Sequence, residues 1–130
     1  RHGVRANANS NNNTVQNNTI ISSKIYGIYF YDKANNNSIL ENTFEYNDVG
    51  IYIKSDSNKI SKNSLINNSV GVYFRDKASS NNLTDNQIKQ SGIYGIYTKV
   101  ATRVSNILGV NELYRNSKDV MGMAENQQRN

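Results

Sequence analysis

The sequence contains no cysteine, no proline and no tryptophan, and its single histidine is His2. Without cysteine the chain has no disulfide framework, no thiolate metal site and no cysteine nucleophile. One histidine excludes a multi-histidine metal cage, so we expect neither a metal site nor a cofactor. No apolar run approaches the roughly 20 residues that a transmembrane helix requires, so we also expect no membrane span.

Asparagine dominates what is present, with 24 copies in 130 residues, while hydrophobic residues make up only 36%. The length suits one domain. A disordered, asparagine-rich segment is one reading of this composition. The net charge of +5 favours an anionic partner. The basic residues are spread along the chain and form no known nucleic-acid motif, so we expect no nucleic-acid partner.

Two linked phrases recur along the chain and argue against disorder. The first is glycine, a β-branched residue, tyrosine and an apolar residue or threonine, with its glycines 24, 23, 21 and 24 residues apart if a fainter copy at Gly3 is included. Its copies begin at Gly27, Gly50, Gly71 and Gly95. In the second phrase two asparagines alternate with aliphatic residues. Its second asparagine is Asn18, Asn42, Asn63, Asn86 and Asn111. A repeat of this length indicates a solenoid or another repeat architecture.

The pattern within each repeat alternates apolar and polar residues, which is typical of short strands. Asparagine is a poor helix former and the tyrosine and isoleucine content favours strands, so a helical repeat is disfavoured. We therefore predict an all-β fold, a right-handed parallel β-helix of about five coils of 21–25 residues. The coils span 1–115 and an irregular C-terminal cap spans 116–130. The chain begins inside a coil, so we expect end-to-end or upstream coil contacts at that end.

Stacking of the coils predicts which residues meet. The asparagines of the second phrase should form an internal ladder, with their amides bonded along the axis. Two core columns are expected, which are Val4, Ile28, Ile51, Val72 and Ile96, and Ala6, Phe30, Ile53, Phe74 and Thr98.

Outward-facing positions supply the candidate binding residues. One column consists of Arg5, Tyr29, Tyr52, Tyr73 and Tyr97. The next consists of Asn7, Tyr31, Lys54, Arg75 and Lys99. Stacked aromatic rings form apolar platforms with a polar hydroxyl rim, and the cations can bind carboxylates or phosphates. The alternative is that the tyrosines only pack on one another, and that Asp32, Asp56 and Asp76 neutralise an ordinary solvated face.

The repeats resemble those of the mannuronan C-5 epimerase and alginate lyase superfamily, which includes the periplasmic β-helix accessory proteins of nitrous-oxide reductase maturation. The resemblance covers roughly 1–115 and rests on the two phrases and on the opening Arg-His-Gly-Val-Arg at 1–5. The epimerases carry the signature Tyr-Gly-[IVF]-Asp-Pro-His-[DE], and its nearest match here is 26–32. Tyr26, Gly27, Ile28 and Asp32 match, whereas tyrosine, phenylalanine and tyrosine replace the Asp-Pro-His part. The expected catalytic histidine is therefore missing, and the remaining catalytic candidates are Tyr31 and His2.

This resemblance implies a β-helix module of a secreted, periplasmic or cell-surface protein. The leading hypothesis is an epimerase-like module that binds an anionic polysaccharide, a polyuronate, on the outer tyrosine and lysine/arginine face. Its predicted substrate-binding residues are Arg5, Tyr29, Tyr52, Lys54, Tyr73, Arg75, Tyr97 and Lys99. If a longer chain were active, the resemblance implies a polysaccharide C-5 epimerase or lyase. The alternative is a non-enzymatic structural or accessory solenoid.

Overall fold

The structure, a computed structural model, describes residues 1–75, 77–98 and 106–122. Within these ranges every regular element is a β-strand, and the strands form three sheets in which all neighbours are parallel. The first sheet consists of β1 (Val4–Ala6), β4 (Tyr26–Tyr31), β7 (Val49–Lys54), β10 (Val70–Phe74), β13 (Tyr94–Thr98) and β16 (Val120–Met121). The second consists of β2 (Thr14–Gln16), β5 (Ser38–Leu40), β8 (Lys59–Ser61), β11 (Asn82–Thr84) and β14 (Ile107–Leu108). The third consists of β3 (Thr19–Ile21), β6 (Thr43–Glu45), β9 (Ser64–Ile66), β12 (Gln87–Lys89) and β15 (Glu112–Tyr114).

Each coil contributes one strand to each sheet in turn, and each strand pairs with its counterpart one coil away. This arrangement is a β-solenoid of about five turns and confirms the predicted parallel β-helix. The right-handed sense stays a prediction. No part of the chain that the structure describes forms a helix able to cross a membrane.

The interior follows the predicted register. Ile28 lies opposite Ile51, Val72 lies opposite both Ile51 and Ile96, and all four side chains are fully buried. The second and third sheets complete this narrow core with two further buried columns. These are Ile39, Ile60 and Leu83, and Phe44, Leu65 and Ile88. Stacked apolar columns explain how a chain with little hydrophobic content can form a dry core.

The predicted asparagine ladder is confirmed between the second and third sheets. The N–H of Asn42 donates to Oδ1 of Asn63, and the N–H of Asn63 donates to Oδ1 of Asn86, both at 2.9 Å. Two similar ladders occur at the other corners of the coil. One consists of Asn13, Asn37, Asn58, Asn81 and Asn106, and the other includes Asn47, Asn68 and Asn116.

Left-handed backbone at the corner between the second and third sheets falls on the residue before four of the five ladder asparagines. The φ angles are 59° at Asn17, 56° at Glu41, 57° at Lys62 and 58° at Asp85. The ladder asparagine itself is thus placed by its amide contacts, while the left-handed conformation falls on residues as different as Asn17, Glu41 and Lys62.

The repeated glycine stands where successive coils approach most closely. A Cβ atom on Gly50 would lie 2.7 Å from the carbonyl oxygen of Gly71, and one on Gly71 would lie 2.5 Å from that of Gly95. Neither glycine has a left-handed φ angle, so the requirement is space beside the next backbone and not conformational freedom.

The first sheet extends beyond the five predicted coils. Val120 pairs with Ile96 and Met121 with Tyr97, inside the segment 116–130 that we predicted as a cap. Residues 123–130 lie outside the described part of the chain, so the cap stays a prediction.

Candidate ligand-binding face

The outer surface of the first sheet carries three parallel columns of side chains, which we call the outer face. The middle column is the predicted one, since Tyr29 pairs with Arg5 and Tyr52, and Tyr73 pairs with Tyr52 and Tyr97. Tyr31 pairs with Lys54 in the next column, and Arg75 follows β10 in the equivalent place, with its N–H bonded to the carbonyl of Ile53 at 2.9 Å. Lys99, the last member of the predicted basic column, lies outside the described residues.

A further column lies on the opposite side of the tyrosines and was not predicted. It consists of Tyr26, Val49, Val70 and Tyr94, which share one register position. Each of these residues directly precedes a repeat glycine, so the signal was present one position before the phrase that defined the repeat.

The tyrosine rings pack mainly on one another. The Tyr52 ring lies 4.2 Å from that of Tyr26, 5.1 Å from that of Tyr29 and 5.0 Å from that of Tyr73, measured between centroids. Although Tyr52 is on the outside of the sheet, these neighbours leave only 7% of it exposed. The middle of the outer face is therefore a second, external apolar cluster, which also contains Val49 and Val70.

The basic side of the face is more open to solvent. Arg5 and Lys54 are exposed, and Arg75 is half-buried. The guanidinium of Arg5 lies 5.5 Å from the centre of the Tyr31 ring, and the amide of Asn7 donates to the Tyr31 hydroxyl at 3.0 Å. Tyr31 is thus held at the boundary between the aromatic cluster and the cations.

The two catalytic candidates lie at the same end of the face, on either side of Tyr29. The ring centroid of His2 is 5.1 Å from that of Tyr29, and the centroid of Tyr31 is 4.3 Å from it on a nearly parallel plane. Nδ1 of His2 is buried and has no hydrogen-bond partner within the described residues. Burial, the adjacent chain amino group and Arg5 lower the pKa of His2, so its neutral form is favoured.

Burial also raises the pKa of Tyr52 and of Tyr29. For Tyr52 the nearby guanidinium of Arg75 opposes this effect, and neighbouring tyrosines add to it. Both hydroxyls therefore stay protonated at neutral pH, and the charge of the outer face comes from its arginines and lysines.

The sequence model of the family described as "Periplasmic copper-binding protein (NosD)" matches residues 1–99. The chain belongs to this family. No curated protein sequence and no solved structure shows a significant match. The NosD family is periplasmic, which agrees with the predicted secreted or periplasmic location. The predicted resemblance to periplasmic β-helix accessory proteins is thereby confirmed, whereas the epimerase resemblance is not.

Proposed function

We propose that this NosD-family chain is a β-helix module that binds an extended anionic polysaccharide, of the polyuronate type, along the outer face. The observation that carries the proposal is the pair of cations that lies beside the tyrosines in neighbouring coils, with a third cation near the same side of the face. Lys54 and Arg75 occupy one register position in neighbouring coils, and Arg5 joins the same side of the face through its contact with Tyr31. Cations repeated at this spacing form a surface for a polymer with one carboxylate in each sugar.

The direction of the column also suits a polymer. Paired strands lie about 4.8 Å apart, so equivalent side chains repeat at that interval along the solenoid axis. One pyranose residue of an extended chain advances by a similar distance. A polyuronate lying along the axis therefore keeps step with the coils without bending.

The tyrosines have a different role in this proposal from the cations. Tyr52 is nearly buried by its neighbours, so its ring faces are occupied by other rings. We assign the tyrosine column to support of the binding surface, and we assign contact with carboxylates to Arg5, Lys54 and Arg75. Tyr29, Tyr73 and Tyr97 are half-buried and retain enough surface to border a bound sugar.

Binding is favoured over catalysis by the chemistry of the available groups. Inverting the C-5 centre of a uronate requires a base that removes a proton on one face of the sugar and an acid that supplies one on the other. The Tyr31 hydroxyl accepts a hydrogen bond from the side-chain amide of Asn7, and His2 is packed between Tyr26 and Tyr29. Neither group has a partner of the opposite role across an open cleft, so no catalytic role is proposed.

Copper binding, which the family description names, does not fit the donors of this chain. Proteins hold copper mainly through histidine, cysteine and methionine side chains. The sequence has no cysteine, and no group of three metal-binding side chains of the His, Cys, Asp and Glu types occurs among the described residues. His2 precedes β1 and Met121 lies in β16, at opposite edges of the first sheet, about 24 Å apart at the usual strand spacing. We therefore propose no copper site in the described residues.

The proposal is tested by titrating the chain with oligomers of mannuronate and following backbone amide shifts. Lys54→Gln should weaken binding by roughly tenfold, because a charged hydrogen bond to a carboxylate is lost. Lys59→Gln is the matched control, since Lys59 is exposed in the same coil but lies in the second sheet. Equal affinities of the two variants would contradict the proposal.

A second candidate function is a non-enzymatic accessory solenoid whose outer face docks onto another protein. The external cluster of Val49, Tyr52 and Val70 favours it, because tyrosine-rich apolar surfaces with arginine at the edge are typical of protein interfaces. Absence of any saturable binding of oligouronates, with the fold intact, would favour this candidate.

A further inference from the structure

The connection between the first and second sheets is shorter in one coil than in the coils on either side. Five residues, 32–36, separate Tyr31 from the ladder residue Asn37. Only three, 55–57, separate the equivalent Lys54 from Asn58, whereas the next coil again has five, 76–80. The short connection leaves a notch at this corner, bounded by the two longer connections.

The two longer connections begin with the same three residues and share one backbone hydrogen bond. Each begins Asp-Lys-Ala, at 32–34 and at 76–78. The N–H of Ala34 donates to the carbonyl of Tyr31 at 3.2 Å, and the N–H of Ala78 donates to that of Arg75 at 3.0 Å. Both alanines are buried, and both preceding lysines have left-handed backbone, with φ of 63° at Lys33 and 69° at Lys77. The matching turns set Lys33 and Lys77 as opposite walls of the notch.

The notch is a cleft of about 320 Å³. Its lining consists of Lys33, Asn35, Lys54, Ser55, Asp56 and Lys77. Lys33 comes from the coil before the short connection and Lys77 from the coil after it. Lys54 lies at the floor of the notch, where β7 ends.

The floor is fixed from both sides by hydrogen bonds. The N–H of Asp56 donates to Oδ1 of Asn35 at 2.9 Å, in the coil before it. Oδ1 of Asp56 accepts from the N–H and the hydroxyl of Ser79, at 2.9 and 3.1 Å, in the coil after it. The carbonyl of Ser55 accepts from the amide of Asn81 at 2.9 Å. A ligand in the notch would therefore meet a preorganised backbone, and ordering costs would fall mainly on the lysine side chains.

The charge of the notch is unbalanced. Three lysines face one carboxylate, and one oxygen of that carboxylate is already occupied by Ser79. No ion pair joins Lys33, Lys54 or Lys77 to a carboxylate within the described part of the chain. The lining thus carries an excess of two positive charges, contributed by lysines of three successive coils.

We propose that this notch binds a tetrahedral dianion, which is sulfate or phosphate as the free ion or a phosphate monoester on a larger molecule. Three lysines that line one cleft from three successive coils match an oxyanion with several equivalent oxygens and two negative charges. A uronate carboxylate supplies one charge and two oxygens, so it satisfies the site less completely. This site is separate from the proposed function and shares only Lys54 with it.

The test is a titration of the full chain with inorganic sulfate, inorganic phosphate and a sugar monophosphate, at constant ionic strength held with chloride. Amide shifts that saturate and are confined to residues 33, 54–56 and 77 are expected. Acetate should bind at least about tenfold more weakly than sulfate, because it carries half the charge. Saturation by the sugar ester as well as by the free ion would identify an esterified ligand, and saturation by the free ion alone would identify a free anion. No saturable shift with any of these dianions, or equal binding of acetate and sulfate, would overturn the proposal.

Two variants distinguish the effect of the lysine charges from the effect of the shape of the cleft. Lys33→Gln with Lys77→Gln should reduce sulfate affinity by about tenfold or more, whereas Lys59→Gln with Lys62→Gln, which removes the same charge elsewhere, should not. The second variant replaces Ser-Asp-Ser at 55–57 with the five residues Asp-Lys-Ala-Asn-Asn of 32–36, which fills the notch and makes its net charge more positive. Loss of sulfate binding in this folded variant supports a built cleft, and retained binding overturns it. Neither variant removes a cation assigned to polyuronate binding, so the two proposals fail independently.

Discussion

The backbone N–H of Asn42 donates a hydrogen bond to Oδ1 of Asn63 in the next coil, at 2.9 Å, and its side-chain amide donates to the same oxygen at 3.1 Å. The contact recurs from Asn63 to Asn86 and from Asn86 to Asn111. Asparagine thus supplies hydrogen-bond partners for backbone N–H groups at a corner where strand pairing is interrupted. These contacts lie inside the solenoid. The high asparagine content is in large part the requirement of these corners.

Removal of one asparagine from this ladder should lower the free energy of unfolding substantially. Asn63 is 2% exposed, and its amide also donates to the carbonyl of Ile39 at 2.9 Å. Asn63→Ala removes the side-chain partner of two backbone groups, the N–H of Asn42 and the carbonyl of Ile39, so we expect a loss of about 3 kcal/mol in the free energy of unfolding. Urea denaturation measures it. The control is Asn82→Ala, because the Asn82 side chain makes no hydrogen bond to the described residues, and a loss equal to that of Asn63→Ala would contradict the ladder's role.

The ladder that includes Asn47, Asn68 and Asn116 is interrupted by Ser91. A stabilising substitution is expected at this position. The Ser91 hydroxyl is buried and has no partner among the described residues, and no side chain there accepts from the N–H of Asn68. Ser91→Asn supplies an Oδ1 atom at that place, as Asn68 does for the N–H of Asn47 at 3.0 Å. We expect a gain of about 1 kcal/mol in denaturant unfolding. Ser91→Ala tests the removal of the hydroxyl alone, and a smaller gain from asparagine than from alanine would count against this geometry.

The repeat glycine should not tolerate a methyl group. In Gly50→Ala the new Cβ would lie 2.7 Å from the Gly71 carbonyl oxygen and 2.9 Å from Cδ2 of Leu65. Since the first of these is backbone of the next coil, relief requires separation of the strands, and we expect a loss of about 2–3 kcal/mol. Gly92→Ala is the matched control, because its nearest neighbour is 3.9 Å away. Thermal unfolding of both variants checks the prediction, which is wrong if they melt together.

Most of the fold could be predicted from the sequence because a solenoid repeats one local solution. Spacing between the glycines placed Ile28 over Ile51 and Tyr52 over Tyr73, and both pairings are confirmed. The extra ladder through Asn47 and Asn68 was missed, since Ser91 breaks its period. Handedness is not encoded in the spacing, because a coil of either hand places the same residues above one another.

The candidate site could be predicted only in part. Register alone placed the tyrosines and cations on one face, but it could not give the burial of Tyr52, which depends on how Tyr26 packs across the column. The notch was missed for a different reason. It arises from the absence of two residues in one connection, and a repeat-based alignment treats such a shortening as variation within the period.

The pH dependence of stability should report the burial of Tyr52. Burial raises the pKa of its hydroxyl above the ordinary value, which is about 10 in an unfolded chain. Above that pH the unfolded chain releases a proton that the folded chain retains. The contribution of the protonated Tyr52 hydroxyl to the free energy of unfolding is therefore fully present below about pH 10, and it declines as the pH rises further.

Tyr52→Phe should flatten this decline between about pH 10 and 12, measured as the free energy of unfolding in urea. Tyr46→Phe removes a hydroxyl from a ring that is 60% exposed and serves as the control for the loss of one tyrosine hydroxyl. An unchanged decline in Tyr52→Phe would show that the ring is open to solvent.

The most direct test of the central claim is binding of mannuronate oligomers compared with neutral glucans of matched length, at low and at moderate salt. We predict saturable binding of the uronate alone, with amide shifts at Lys54 and Arg75 and with lower affinity at the higher salt concentration, because exposed charges are screened. Binding of both polymers with equal affinity, or of neither, would contradict an anionic polysaccharide as the ligand of the outer face.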